Sequence, residues 1–387
     1  MAGNFLYVST HLFLLGTAGF IAVGIFRLSD PLLPKIAEDF GTSVGGVGIT
    51  LTAFTLGYAL FQLAHGPLGD RLGKLRVITA ALGCASVATV ACAWADSVTG
   101  LAALRFAAGM TAGAVTPLGM AHIGDTVAYD ARQVTLARFF MAAIFGQMMA
   151  ASIAGIFAEH FGWRSGFLAF GVAGLAVTAC LWPVAAGAPR AAQQRAAGRV
   201  TFPALLRDRP ARIVLVSVLL QGCFTAGAMP YAGAYMRHAF GLDYATIGLV
   251  LISFGLGGLL YSFNVRRLMR GLGERGLVIG GGALVVAGYA VMIAAESWHY
   301  LIPALVLNGL GFFCVQGVLQ LKATEIAPQA RGTALSGFVF CLFVGQGIGV
   351  FALGQLVDGP GYRVTFAVTS LAVVLVTAWM QKALDRR

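Results

Sequence analysis

The chain has 387 residues, 58% of them hydrophobic and 11% charged, with a formal net charge of +11. Soluble domains carry about 25% charged residues, and a mean hydropathy of +0.83 leaves more apolar surface than one aqueous core can hide, so lipid must be the solvent for most of the chain. The positive charge falls in short segments between apolar runs, which excludes a nucleic-acid reading in favour of membrane topology.

Backbone groups in lipid must be paired internally, which leaves helices or a closed barrel. Apolar runs of about 20 residues without two-residue alternation select helices. Twelve are expected, at 9–29, 45–65, 77–95, 99–122, 134–157, 165–186, 211–236, 245–264, 276–295, 299–321, 332–356 and 364–382. Met1 to Thr10 contains no Lys or Arg, so the first run reads as a retained span rather than a removable signal.

The first run ends on Arg27 and Asp30, spaced three apart so that they can pair on one helical face. The link between the second and third runs is Gly66-Pro67-Leu68-Gly69-Asp70-Arg71-Leu72-Gly73-Lys74-Leu75-Arg76, in which glycines permit a tight turn and the charges can meet helix ends or lipid phosphate. Arg105 sits roughly 9 Å into the fourth run at 1.5 Å per residue. A charge at that depth is costly and points to proton coupling with Arg27 and Asp30; the alternative is that Asp30 only begins an Asp-Pro turn at the interface and Arg27 snorkels. Seven amides, Gln62, Gln147, Gln221, Asn308, Gln316, Gln320 and Gln346, lie inside spans. They either line a pathway or tie helices together.

Several patterns carry no chemistry. The six cysteines sit in apolar runs without a CxxC, and the six histidines form no HExxH, so no metal site and no cofactor are expected. Gly271, Gly273 and Gly276 spell GxGxxG but follow a membrane helix rather than a strand, so no nucleotide site is expected. No cluster of His, Asp and Ser shares one membrane depth, so an enzyme is not expected.

The second half repeats the first. Leu136, Phe139, Gly146-Gln147, Gly155, Gly162, Arg164 and Phe167 recur 199 residues later as Leu335, Phe338, Gly345-Gln346, Gly354, Gly361, Arg363 and Phe366. Ala131-Arg132 likewise recurs as Ala330-Arg331. Upstream the spacing is 200: Phe40-Gly41, Gly48, Phe54 and Leu56-Gly57 match Phe240-Gly241, Gly248, Phe254 and Leu256-Gly257, and Asp125 matches Glu325. The expected fold is an all-α polytopic membrane protein of two pseudo-symmetric six-helix bundles, residues 1–186 and 211–387, joined by a linker at 187–210. Such repeats form a pathway at their interface that opens to each side in turn. Arg27, Asp30 and Arg105 map onto Gly227, Pro230 and Leu305, which assigns the coupling charges to the first half alone.

The Gly66–Arg76 segment resembles the signature loop of the major facilitator superfamily, roughly G-x-L-(A/G)-D-(R/K)-x-G-(R/K)-x-(R/K). Leu104-Arg105 with Gly109 and Gly113 is similar to the fourth-helix motif of that family. Asp30-Pro31-Leu32-Leu33-Pro34 through Gly41 resembles the end of helix one in drug- and metabolite-exporting members, and Gly162-Trp163-Arg164 with Phe167 the connection between helices five and six. Around Gly146-Gln147 and Ala154-Gly155 the Gly-Pro pair of exchangers is absent. The resemblance implies a secondary active transporter that moves a small organic solute by alternating access, with proton-coupled efflux as the leading expectation. Uptake or exchange of an organic anion held by Arg27 and Arg105 is the alternative, and a non-transporting receptor the third. It also implies a gating network of Gly66, Asp70, Arg71, Gly73, Lys74 and Arg76 with Asp125.

Loop charges orient the chain. Segments 66–76, 187–212, 265–275 and the tail carry +2, +5, +3 and +2, whereas the Asp30–Asp39 segment carries −2 and Asp96 and Glu296 each stand alone. The positive-inside rule then places both termini in the cytoplasm, with a bacterial inner membrane as the expected location. The expected partners are a small-molecule substrate, protons and membrane lipids, with a monomer as the working unit.

Overall fold

The computed structural model describes residues 2–127, 129–187, 202–326 and 331–384. Among these the chain is helical and contains no strand. Eleven helices are long and apolar enough to cross a membrane. One of them, Tyr244–Ala294, has 51 residues and is two crossings joined at Gly273, whose φ of 63° and ψ of −178° leave helical space. We number the twelve crossings α1 (His11–Asp39), α2 (Val44–Leu72), α3 (Lys74–Trp94), α4 (Val98–Thr126), α5 (Ala131–Phe161), α6 (Trp163–Gly187), α7 (Arg209–Phe240), α8 and α9 (the arms of Tyr244–Ala294 before and after Gly273), α10 (Trp298–Glu325), α11 (Thr333–Asp358) and α12 (Tyr362–Ala383). Each expected apolar run falls on one crossing.

Most of the expected linker at 187–210 lies outside the described residues, as do Ala330 of the repeat and the tail charges Asp385, Arg386 and Arg387. The described end of the linker is a short helix, Phe202–Arg207, whose Leu205 is buried with α7, α10 and α11 side chains.

The repeat is written into the backbone. The left-handed glycines of the described chain fall into equivalent pairs: Gly41 with Gly241, Gly73 with Gly273, and Gly162 with Gly361. A positive φ is available to glycine without steric cost. The GxGxxG letters at Gly271–Gly276 are therefore the second-half copy of the turn at Gly73. The cap of α2 is Ser43, whose side chain accepts from the Gly46 amide. The cap of α8 is Asp243, 200 residues on, which accepts from the Thr246 amide at 2.8 Å. Ser43 stands in a Gly41-x-Ser43-x-Gly45 string that matches a nucleophile elbow by letter, but its role is to close a membrane helix.

Small residues let the helices approach closely, as lipid-solvated packing requires. A Cβ on Gly109 would collide with the Phe54 carbonyl, and one on Gly309 with the Phe254 carbonyl, 200 residues away in both partners. Gly146 meets the Phe20 carbonyl as Gly345 meets that of Leu219, at 199.

The halves differ in how their first helix is broken. The run of α1 is helical to Arg27, passes a turn at Asp30–Leu32 with Pro31 in its second position, and resumes over Leu33–Asp39. In α7 a π-turn over Gly222–Ala226 comes first, and the chain then turns at Met229, equivalent to Ser29, before Pro230–Phe240.

Candidate functional site

The halves meet where α2 packs on α11 and α5 on α8. The bonds between them gather at the end opposite the Gly66–Arg76 loop. The Ser43 hydroxyl donates to Asp358 Oδ2 at 2.6 Å, the Gly45 amide to Asp358 Oδ1 at 2.9 Å, and the Thr52 hydroxyl to the Gly347 carbonyl at 3.1 Å. On the other seam the Tyr244 amide donates to Glu159 Oε2 and the Ser152 hydroxyl to the Gly248 carbonyl, both at 2.9 Å. Backbones nearly touch there: a Cβ on Gly45 would strike Gly354, and one on Gly155 the Tyr244 carbonyl. Asp243 stands beside this seam, and hydrogen bonds from the Thr246 amide and hydroxyl hold its carboxyl below the usual range. We call this end the sealed face and the other the loop face. Deeper in, Tyr58 of α2 stacks on Phe343 of α11 with ring centroids 4.2 Å apart, and Phe26 stands 5.4 Å from Phe343.

A cavity of about 320 Å³ lies between the halves on the loop side of these bonds, within the size range of small-molecule sites. Its wall holds Phe26, Tyr58, Phe343, Phe312 and Phe313, and four amides, Gln147, Gln316, Gln320 and Gln346. Arg27 is the charged side chain among the described residues that line it. Its Nη1 donates to Asp30 Oδ2 at 3.3 Å, a single long contact rather than a bidentate fork. The guanidinium rests over the Phe26 ring at 4.5 Å. Arg27 Nε, Asp30 Oδ1 and Gln316 Oε1 are buried without a protein partner. Arg27 and Asp30 also share a niche of about 20 Å³ with Gln147 and Met148, room for one water.

The other expected pathway residues serve elsewhere. Gln221 Nε2 donates to the Phe312 carbonyl at 3.0 Å, Asn308 is buried against Met292, and Gln62 is 5% exposed inside the first half. Gln221 and Asn308 bridge helices, Gln62 Oε1 is buried without a protein partner, and none of the three lines the cavity wall. Arg105 is 0% exposed. Its Nη1 donates to the Ile25 carbonyl at 2.7 Å and its Nη2 to the Phe26 carbonyl at 3.2 Å, with the guanidinium 4.3 Å above the Phe54 ring. The physical reason is the break in α1. The last carbonyls of a helix lack intrahelical donors, and a cation is favourable at that negative end. Arg105 therefore caps the interrupted helix immediately before Arg27 and Asp30.

At the loop face, Gly73 turns the chain with φ 95°. Lys74 forms an ion pair with Asp125 of α4 and lies 3.8 Å from Asp70. Arg76 donates to the Ala185 and Ala186 carbonyls at the end of α6, at 3.2 and 3.3 Å. Gly66, Asp70 and Arg71 are exposed. In the second half Glu274, equivalent to Lys74, likewise pairs with α10, at 2.5 Å through Lys322, which matches His122 rather than Asp125.

Sequence reasoning allowed for a few phenylalanines in a substrate wall but named none, and it missed the carboxylates of the seal. The rings gave no signal among 27 phenylalanines. Glu159 and Asp358 did, because acids end both fifth helices at the 199-residue spacing.

The sequence model of the Major Facilitator Superfamily matches residues 15–328 and 214–384. An uncharacterized MFS-type transporter of Bacillus subtilis (strain 168), YceJ, is 28% identical over 355 residues, covering 89% of this chain and 87% of the relative. A gallate transporter of Pseudomonas putida is 29% identical over 151 residues, which is 39% of this chain and 34% of that protein. Among solved structures, a bacterial homologue of the human lysosomal transporter Spinster, inward-facing and occupied, superposes with a TM-score of 0.79 at 18% identity over 98% of this chain and 97% of that one. The paired loops, the twelve crossings in two related halves and the matched sequence agree: this chain is a transporter belonging to the Major Facilitator Superfamily.

Proposed function

We propose that the chain moves a small organic anion through the cavity between its halves by alternating access, with Asp30 carrying the coupling proton. The observation that carries this reading is the charge of the cavity. Arg27 faces it, four glutamines surround it, and no carboxylate is among the described lining residues. Guanidinium matches a carboxylate bidentately, the aromatic rings suit a planar body, and the glutamines suit hydroxyl groups on it. The relative named for gallate, a carboxylate, supports the same class. The basic loop face is cytoplasmic in this reading, the membrane is a bacterial inner membrane, and one chain is the working unit.

Charge balance gives the sign of coupling. Ionised Asp30 competes with an anion for Arg27. A proton on Asp30 releases Arg27 to the substrate, so proton and anion occupy the same state and travel the same way. Uptake down the proton gradient follows. A second reading, proton-coupled efflux of a drug or metabolite, is favoured by the likeness of the Asp30–Gly41 segment to exporters. Proteoliposomes separate the two. An acid external pH that drives aromatic carboxylates inward, abolished by Arg27→Gln, supports the first. Substrate efflux against inward proton movement supports the second, and carboxylate flux indifferent to Arg27→Gln sinks the anion reading.

A further inference from the structure

The seam opposite the loop motif holds two carboxylate-to-helix-start contacts at equivalent places in the two halves, with the donor amides offset by one residue (Tyr244 matches Val44, the neighbour of Gly45). Glu159 ends α5 and receives the Tyr244 amide at the start of α8. Asp358, 199 residues later, ends α11 and receives the Gly45 amide and the Ser43 hydroxyl at the start of α2. The recipients are equivalent as well, because Asp243 and Ser43 are the matched caps of those two helices. Each cap satisfies one amide of its own first turn and leaves another to be met from outside. A carboxylate from the opposite half meets it, at the positive end of the helix dipole.

We propose that Glu159 and Asp358 are the positioning residues of the transport cycle that hold this face shut, as two reciprocal latches each built from one half's carboxylate and the other half's helix start. The contacts exist only while the face is sealed. When the halves part, water takes both sides of each bond, so the latches stabilise one state against the other, which is the condition for biasing a two-state equilibrium. They stand independently of substrate and coupling ion. They also differ from the loop-face network, where Lys74 and Asp125 belong to the same half. Glycine makes the approach possible: Gly354 lies on Gly45 beside one latch, and its equivalent Gly155 lies on the Tyr244 carbonyl beside the other.

The test places spin labels on the full-length, cysteine-free protein in nanodiscs. One pair, at Asp96 and Glu296, reports the sealed face; another, at Leu72 and Leu272, reports the loop face. All four positions are exposed, and each pair joins equivalent sites in the two halves. Glu159→Ala and Asp358→Ala should each raise the population with a long Asp96–Glu296 distance by about threefold to tenfold. Together the two changes should multiply, as separate sites do. The Leu72–Leu272 distance should shorten in step, and Glu159→Asp and Asp358→Glu should restore much of the sealed population. Tyr244→Pro against Tyr244→Ala isolates the amide itself. Both lose the ring, but only proline loses the N–H, and it is tolerated at a first helical position that follows extended Asp243 (φ −69°, ψ 158°). Opening in the proline variant beyond that in the alanine variant supports the latch. Unchanged distances in the double alanine variant, or a lower melting temperature without redistribution, overturn it. So does equal behaviour of the two Tyr244 variants.

Discussion

Replacing Arg105 with alanine tests whether this deep charge is a helix cap or a coupling group. The side chain is wholly buried and holds the carbonyls of Ile25 and Phe26. Its loss orphans two acceptors, at about 1–3 kcal/mol each. It also opens a cavity of the kind that costs about 2–5 kcal/mol when a large buried side chain becomes alanine. Against this stands relief from burying a guanidinium, which returns roughly 1–4 kcal/mol. The central values of those terms leave a destabilisation of about 5 kcal/mol. Arg105→Lys keeps the charge but loses the fork, so it should fall between wild type and alanine. Thermal unfolding in detergent, followed by monodisperse size-exclusion signal, reads the effect. An Arg105→Ala protein that melts like wild type yet transports without responding to a proton gradient would refute the cap and restore Arg105 to the coupling chemistry.

Arg27→Gln should abolish carboxylate-dependent thermal shifts while moving the ligand-free melting temperature little, since the residue makes one 3.3 Å polar contact. Gly109→Leu and Gly309→Leu should each prevent the close pairing of two helices and reduce folded yield, measured as the monodisperse fraction after extraction; a normal yield would contradict the packing. Asp243→Ala should cost about 1 kcal/mol as a lost helix cap. Because its carboxyl is held below the usual range, the cap persists where a free aspartate is half protonated and is lost only on further acidification; amide exchange at Ala245 and Thr246 across that window checks it. Lys74→Ala should change melting by less than about 1 kcal/mol, as a part-exposed ion pair does.

The fold was legible because lipid simplifies the code: apolar length gives crossings, loop charge gives alternation, and the 199–200 spacing gives two halves. The boundary between α8 and α9 shows the limit. Gly271-Leu272-Gly273 reads as a turn in the sequence, but its letters do not say that Gly273 alone leaves helical space while the residues on either side stay helical. The site was legible in part. Arg27 and Asp30 were found by their charge, and four of seven amides reach the cavity because their helix faces point inward. Gln62, Gln221 and Asn308 do not, since sequence depth fixes the height of a side chain but not its azimuth. Arg105 was singled out for its depth, and the structure adds a contact with the end of α1 that the sequence did not suggest. Its guanidinium meets the carbonyls at the broken end of α1, a contact that the equivalent Leu305 has no group to make.

The seam at the sealed face has an evolutionary consequence. The partners of Glu159 and Asp358 include the amides of Tyr244 and Gly45, and those of Ser152 and Thr52 are the carbonyls of Gly248 and Gly347. One side of each contact is main chain, which most point substitutions leave in place. Mutational risk at this gate therefore falls on two kinds of codon: the few side chains that reach across, and the glycines Gly45, Gly155 and Gly248, where any Cβ would wedge the door from its frame.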